Sequence, residues 1–330
     1  MKNSIKTNTY INTLAAALVL AAVAQTADAQ NTAYPNKTIR MVVPIGAGGG
    51  TDTMARLIAQ RLSEQMGVTI FIDNRPGAGT VIGTEHFSKT APDGYTLMTV
   101  APEFSIQPSL RKVPYDPIKD FSFITLLTSG QYFLTTHPTV PVKTPQQFLA
   151  LAKSRPGQIA FGSSGNGSAN HLAGVLFQHM TKTSMVHVPY KGSGPASTAL
   201  IGGEIDYVFS STPSVLPFVK SGKLKAIAST GPQRSVLTPD IPTIAETGVP
   251  GFAVTGFYML MAHAGTQAEV IKRLHAETLK ALQTAIIRDR LATAGMEPGG
   301  DSNEACNAFI RNEIVKWAEI VKIAGAKAED

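Results

Sequence analysis

Two periods of apolar and polar positions take turns along this chain. Short apolar, β-branched runs give way to stretches whose apolar residues recur three and four apart, and the exchange repeats many times. Residues 39–44 read as a buried strand. Met54, Leu57, Ile58, Leu62 and Met66 then mark one face of a helix, and 68–73 reads as the next strand. A turn at 74–79 leads into a helix over 81–90, and Ala91-Pro92-Asp93-Gly94 precedes a strand over 95–100. A second series begins after the apolar run at 123–127, with a strand predicted over 132–136, a helix over 145–154 and a strand over 158–161. Beyond these come a helix over 168–180, a strand over 184–188, a short helix over 196–201, and strands over 204–209, 224–229 and 253–261. Two helices close the chain, 267–294 with an internal break and 303–323.

Strands alternating with helices predict an α/β protein built on mainly parallel sheets flanked by helices. Two such series predict two lobes. Residues 30–128, rejoined by 254–330, form the first, and 129–253 form the second. Their two crossovers, near 126–131 and 251–256, suit a hinge that opens and closes a cleft.

The first 29 residues follow a different pattern. Lys2 and Lys6 precede an uncharged run over 14–24, and Ala27-Asp28-Ala29 fits small-x-small cleavage, which together read as an export signal. A second small-residue site lies at 22–24. The apolar run falls short of the ~20 residues that cross a bilayer comfortably. Cys306 is the single cysteine, so neither an intrachain disulfide nor a cysteine-rich metal site is available. The net charge of +6 is spread without a basic block or a basic stripe interleaved with aromatics, which argues against nucleic acid as a partner. A modest positive charge suits capture of anions instead.

Two loops carry the candidate chemistry. Ile45-Gly46-Ala47-Gly48-Gly49-Gly50-Thr51-Asp52 follows the first strand, and Ser163-Ser164-Gly165-Asn166-Gly167-Ser168-Ala169-Asn170 follows the strand over 158–161. Each brings small residues to a predicted helix N-terminus, where unpaired N–H groups and the helix dipole favour an anion. The first loop lacks the spaced G-x-G-x-x-G of a dinucleotide site and the Gly-Lys-Ser/Thr of a P-loop. The second fails the G-x-S-x-G elbow at Asn166. A serine hydrolase using Ser163 or Ser164 with His171, and with Asp206 as a third member, is the alternative reading. Seven histidines are scattered without metal-ligand spacing, so neither a metal nor a cofactor is expected. Four further residues are lesser candidates for the cleft: Tyr190, Lys191 and Gly192 in a third loop, and Asp206 at the start of a strand. Phe104, just after the strand over 95–100, is a candidate to stack on an aromatic ligand.

Spaced motifs over the whole chain after the export signal resemble the Bug proteins, the TctC-like receptors of tripartite tricarboxylate transporters. They include Tyr34-Pro35-Asn36-Lys37-Thr38-Ile39-Arg40, the 44–52 loop, Asn74-Arg75-Pro76-Gly77-Ala78-Gly79 and Ala91-Pro92-Asp93-Gly94-Tyr95-Thr96-Leu97. Further on come Pro114-Tyr115-Asp116-Pro117, Val188-Pro189-Tyr190-Lys191-Gly192, Gly202-Gly203-Glu204-Ile205-Asp206 and Pro242-Thr243-Ile244-Ala245-Glu246. The resemblance implies a two-lobed periplasmic binding protein that is not an enzyme. It would act as a monomer, take a small carboxylate (a di- or tricarboxylate, amino acid or aromatic acid), and serve a membrane permease or a sensor kinase. It also implies ligand contacts from 45–52 in one lobe and 163–170 in the other, with 190–192 and Asp206 as lesser candidates; His171, beside the second loop, is the one histidine placed to touch a ligand. The first loop departs from the family's Pro-Phe-x-Pro-Gly-Gly form, reading Pro44-Ile45-Gly46-Ala47-Gly48-Gly49.

Overall fold

A computed structural model describes residues 34–327; the expected export signal lies outside the described residues. Residues 34–36, with a cis Tyr34–Pro35 peptide bond, fall in a first unit, and Lys37–Asp330 is a second, which carries the fold described below.

One strand sits at the centre of each of two sheets. In the first, β1 (Ile39–Val43) lies between β2 (Ile70–Asn74) and β3 (Thr96–Val100), both parallel to it. Helices α1 (Gly50–Met66) and α2 (Val81–Ser88) make the two crossovers, and α3 (Glu103–Leu110) follows β3. In the second, β5 (Ala160–Ser163) lies between parallel β6 (Val186–Pro189) and β7 (Tyr207–Ser211). Here α4 (Pro145–Ser154) precedes β5, and α5 (Ala169–Thr181) and α6 (Ser193–Gly202) make the crossovers. The two lobes thus repeat one device, and each candidate loop leaves the C-terminal end of its central strand.

Antiparallel strands join the two devices. The 16-residue β4 (Phe121–Thr136) pairs with β9 (Thr255–His263) along its first part and with β7 and β8 (Lys225–Ser229) along its last. Its partner β9 also pairs with β3, and the two-residue β10 (Glu297–Pro298) pairs with β4. Both sheets are therefore mixed, a parallel triplet completed by antiparallel strands. The sequence pattern divides β4 in two because Thr128, Ser129, Gly130 and Gln131 interrupt the apolar run. Pairing of those residues with β9 keeps the strand continuous. The sequence reading passes over two helices, α3, which lacks a helical period, and α7 (Thr212–Lys220); each has an internal proline, Pro108 or Pro217. The break expected in the long C-terminal helix falls at Thr284, between α8 (Ala268–Gln283) and α9 (Ala285–Thr293).

Each lobe has its own core. Val42, Met98, Phe104, Phe121, Phe123 and Met259 pack in the first, and Phe148, Phe161, Phe177, Tyr207, Phe209 and Phe252 in the second. The final helix, α10 (Asn303–Ala324), serves both. Its early residues Cys306 and Ile310 enter the first core, while Trp317, Ile320 and Val321 enter the second. Trp317 is 0% exposed, and its Nε1–H donates to Glu313 at 2.9 Å. Among the described residues no helix is long and apolar enough to cross a membrane.

Candidate functional site

Parallel register explains how the first loop is held. Val43 at the end of β1 pairs with Asn74 at the end of β2, which sets the Asn74 side chain beside the turn that follows β1. Its Nδ2 donates to the Ile45 carbonyl at 3.0 Å and to Asp52 Oδ1 at 2.9 Å. The other Asp52 oxygen accepts from the Gly48 N–H at 2.8 Å and from Arg56 Nε at 3.0 Å. Burial opposes ionisation of Asp52, but the bonds from Arg56, Gly48 and Asn74 outweigh it and hold its carboxyl below the usual range. Asp52, 2% exposed, is thus a brace for the loop.

The helix end that this brace supports is uncapped. Gly49 at the N-cap of α1 offers no side-chain cap bond, so the first-turn N–H groups keep their capacity for an anion. Space beside Gly46 and Gly48 is open to 4 Å. Gly50 meets a close neighbour: a Cβ there would stand 2.2 Å from the Tyr258 hydroxyl of β9. Tyr258 therefore reaches across from the antiparallel strand to the head of α1. Burial, and then the Glu103 charge, raise its pKa.

The second loop is more self-contained. Asn170 Oδ1 accepts from the Ser164 N–H (3.3 Å) and hydroxyl (2.9 Å), the Ser168 hydroxyl (2.6 Å) and the His171 N–H (3.2 Å). Ser163 Oγ accepts from the Gly165 N–H at 3.1 Å, and His171 Nδ1 accepts from the Gly167 N–H at 3.1 Å. The Ser168 N–H donates to the Gly165 carbonyl at 3.2 Å. Most N–H groups expected to face a ligand are thereby engaged within the loop. With Oδ1 committed, Asn170 Nδ2 remains as a donor without a partner among the described residues. Gly167, at φ +72°, rests against α3, and a Cβ there would stand 2.6 Å from Leu110 Cδ1.

Beneath this loop lies a pair of histidines, of which the sequence reading singled out only one. His187 Nε2 is 2.6 Å from Ser163 Oγ, and the His171 and His187 rings stack at 4.0 Å beside Phe161. Burial holds both pKa values down to about 4, helped at His187 by the charge of His171. The signal for His187 was its place on the strand parallel to the one that ends in Ser163; Phe161 pairs with it in register. The hydrolase reading gains nothing from this pair, because Ser163 is 0% exposed and its hydroxyl is held between Gly165 and His187.

The remaining candidates divide. Tyr190 joins the second loop, its N–H donating to the Ser163 carbonyl at 3.0 Å, and Lys191 and Gly192 follow it toward α6. Asp206 stands at the other end of β5, where its carboxylate accepts from the Ala160 N–H at 2.8 Å, so it braces a strand start away from the loop. Phe104 is corrected likewise. Its ring is 1% exposed and packed among Tyr115, Phe121 and Phe123 in the first core, which leaves no face for a ligand.

Two mixed α/β lobes, each with a loop at the C-terminal end of its central strand, are the architecture of periplasmic solute-binding proteins. The family model described as "Tripartite tricarboxylate transporter family receptor" matches residues 54–326, and the chain belongs to that family. It is 36% identical over 300 residues to Protein BugT of Bordetella pertussis, covering 89% of this chain and 91% of that one. Among solved structures it is similar to Rpa4515 of R. palustris with adipate, at TM-score 0.82 and 32% identity over 89% of this chain and 99% of the other. It is also similar to MatC of Rhodopseudomonas palustris with bound malate, at TM-score 0.78 and 31% identity over 87% and 100%.

Proposed function

We propose that this protein is an extracytoplasmic receptor that captures a small carboxylate between its two lobes and delivers it to membrane subunits of a tripartite transporter. The observation that carries this reading is the uncapped N-terminus of α1, held by the Asp52–Asn74–Arg56 brace. The first-turn N–H groups of α1 and Asn170 Nδ2 receive the carboxylate, while Tyr190 flanks the second loop. Relatives with adipate and with malate support the ligand class. In this reading the chain performs no catalysis, is exported with removal of a signal ending near Ala29, and works as a monomer. Its lobes comprise residues 30–128 with 254–330, and residues 129–253. A ligand touching both lobes stabilises the closed arrangement by its differential affinity.

Thermal denaturation against mono-, di-, tricarboxylic and aromatic acids tests the reading. The matching acid, at 100 times its Kd, adds about 2.7 kcal/mol to stability and raises Tm by several degrees. A panel without any shift contradicts it. Uptake of that acid falling on deletion of the gene supports delivery to a permease; intact uptake with lost ligand-dependent induction assigns the receptor to a sensor kinase instead.

A further inference from the structure

One end of the second lobe gathers cations that have no counter-charge. β5, β6, β7 and β8 all begin at this end and β4 finishes there: Ala160 pairs with Val186, and Thr136 pairs with both Tyr207 and Lys225. The segments leading into those strands carry Arg155, Lys182, Lys220 and Lys223, and Lys143 follows β4. All five are exposed, and none forms an ion pair among the described residues. Lys225 anchors the group, its Nζ donating to the Val140 and Val142 carbonyls at 2.6 and 3.0 Å; burial, and then the charge of Lys143, lower its pKa. Of the two carboxylates at this end, Asp206 is engaged by the Ala160 N–H, which leaves Glu204 against the cations. The Arg234–Glu246 ion pair stands elsewhere, since the Thr243 hydroxyl that donates to Glu246 belongs to the bridge with Ser229 at the other end of β8. The second loop lies one strand-length away, about 13 Å for the four residues of β5.

Helix ends account for part of this charge but not for its lack of partners. α4, α5, α6 and α7 all finish at this pole, and a cation is favoured at a helix C-terminus. The first lobe repeats the same device with the same dipoles, yet cations at its corresponding pole are matched. Lys37 pairs with Asp93 at 3.3 Å, Arg61 with Glu64 at 3.1 Å and Lys89 with Glu85 at 2.6 Å. The second pole therefore holds a surplus of positive charge that the fold does not demand. Its composition selects the partner. Protein interfaces draw on aromatic residues and Arg and are poor in Lys. Here four of the five exposed cations are Lys, point charges on flexible stems, and the large apolar side chain exposed at this end is Val186. Such a surface fits a diffuse sheet of anions better than a shaped protein partner.

We propose that this basic pole is a docking surface for an anionic lipid bilayer, on which the receptor rests through its second lobe. The proposal goes beyond the carboxylate-receptor reading and does not depend on which acid the cleft takes. Each Lys or Arg near an anionic surface strengthens binding about fivefold, so the group acts as a weak, reversible anchor. Because the pole is the end of the lobe opposite its ligand loop, docking leaves that loop off the lipid.

Co-sedimentation of the purified protein with lipid vesicles tests this. Vesicles of equal parts phosphatidylglycerol and phosphatidylcholine are expected to bind the protein, and vesicles of phosphatidylcholine alone are not. Binding should fade as salt shortens the screening length from about 30 Å at 0.01 M to about 3 Å at 1 M. Lys143→Gln, Lys220→Gln and Lys223→Gln together are expected to lower the partition about a hundredfold. Arg288→Gln, Arg290→Gln and Arg311→Gln, which remove the same charge from exposed sites in the first lobe, should leave it unchanged. Circular dichroism establishes that each variant is folded. Absence of binding to the anionic vesicles, insensitivity to salt, or equal loss in the two variants overturns the proposal. Binding that needs the transporter's membrane subunits in phosphatidylcholine vesicles, and that the three lysine changes abolish, assigns the pole to a protein partner and also overturns it. None of these results touches the receptor reading, which ligand-induced thermal shifts decide separately.

Discussion

Asp52 illustrates how one side chain sets the shape of a ligand loop without facing the ligand. Its two oxygens join the Gly48 backbone, Arg56 and Asn74, and Arg56 Nη2 closes the brace by donating to Asn74 Oδ1 at 3.0 Å. Asp52→Ala removes the acceptor of the Gly48 N–H and one of the two acceptors of Asn74 Nδ2, and is expected to cost about 1–2 kcal/mol in urea denaturation as well as weakening ligand binding. His171 and His187 give a second test. Their pKa values of about 4 lie below the 6.5 of the unfolded chain, so both are neutral in the folded protein above about pH 4. Between those values the unfolded chain binds protons that the folded chain refuses. Stability is therefore full above pH 6.5 and falls as the pH drops toward 4. Tm measured from pH 7 to pH 4.5 should follow that course, with a shallower decline in His171→Asn. At Gly167, alanine meets both a positive φ and the Leu110 methyl. Gly167→Ala should lower Tm, and Leu110→Ala in the same chain should recover the part due to the clash but not the part due to the backbone.

The elements that were legible in sequence are those whose apolar period is undisturbed. The helix over 145–154 and the start of the helix at Asn303 coincide with α4 and α10, whose caps Thr144 and Ser302 accept N–H bonds from Gln147 and Ala305 and fix where each helix begins. The two loops were legible for a related reason: small residues between a strand and a helix have few other uses. What the sequence hid is what depends on distant pairing. The polar middle of β4 is a strand only because β9 runs beside it, and α3 lacks a period because Pro108 and a nearly unbroken buried run, Phe104 to Gln107, obscure it. Tyr258 and Asn74 reach the first loop through strand register, which no local pattern records. Neither was the double allegiance of α10 readable, since its apolar stripe looks the same whichever core receives it. Trp317→Ala removes the largest side chain of the second core from a helix anchored in the first. A loss of about 3–5 kcal/mol is expected in equilibrium unfolding.

On the scale of the whole molecule, the two lobes solve the same problem twice with unequal results. Each places a loop at the C-terminal end of the middle strand of a parallel triplet, yet α1 presents an uncapped helix end while the second loop binds most of its own donors. In the proposed receptor the first lobe holds the anion, and the second closes over it with Asn170 and the wall around Tyr190. The β4–β9 ladder, with register shifts at Phe123/Thr125 and Leu126/Thr128, runs through the passage between the sheets, and in the proposed receptor bending and twisting of these strands is the route by which the lobes approach. The most direct test is an NMR titration of the isotopically labelled protein with the acid that stabilises it, following backbone amides. The account predicts that the amides of 48–51 and of 164–170, with the Asn170 side-chain amide, shift together and saturate at one ligand per chain. Shifts confined to one loop, or centred elsewhere, would contradict capture between the two lobes.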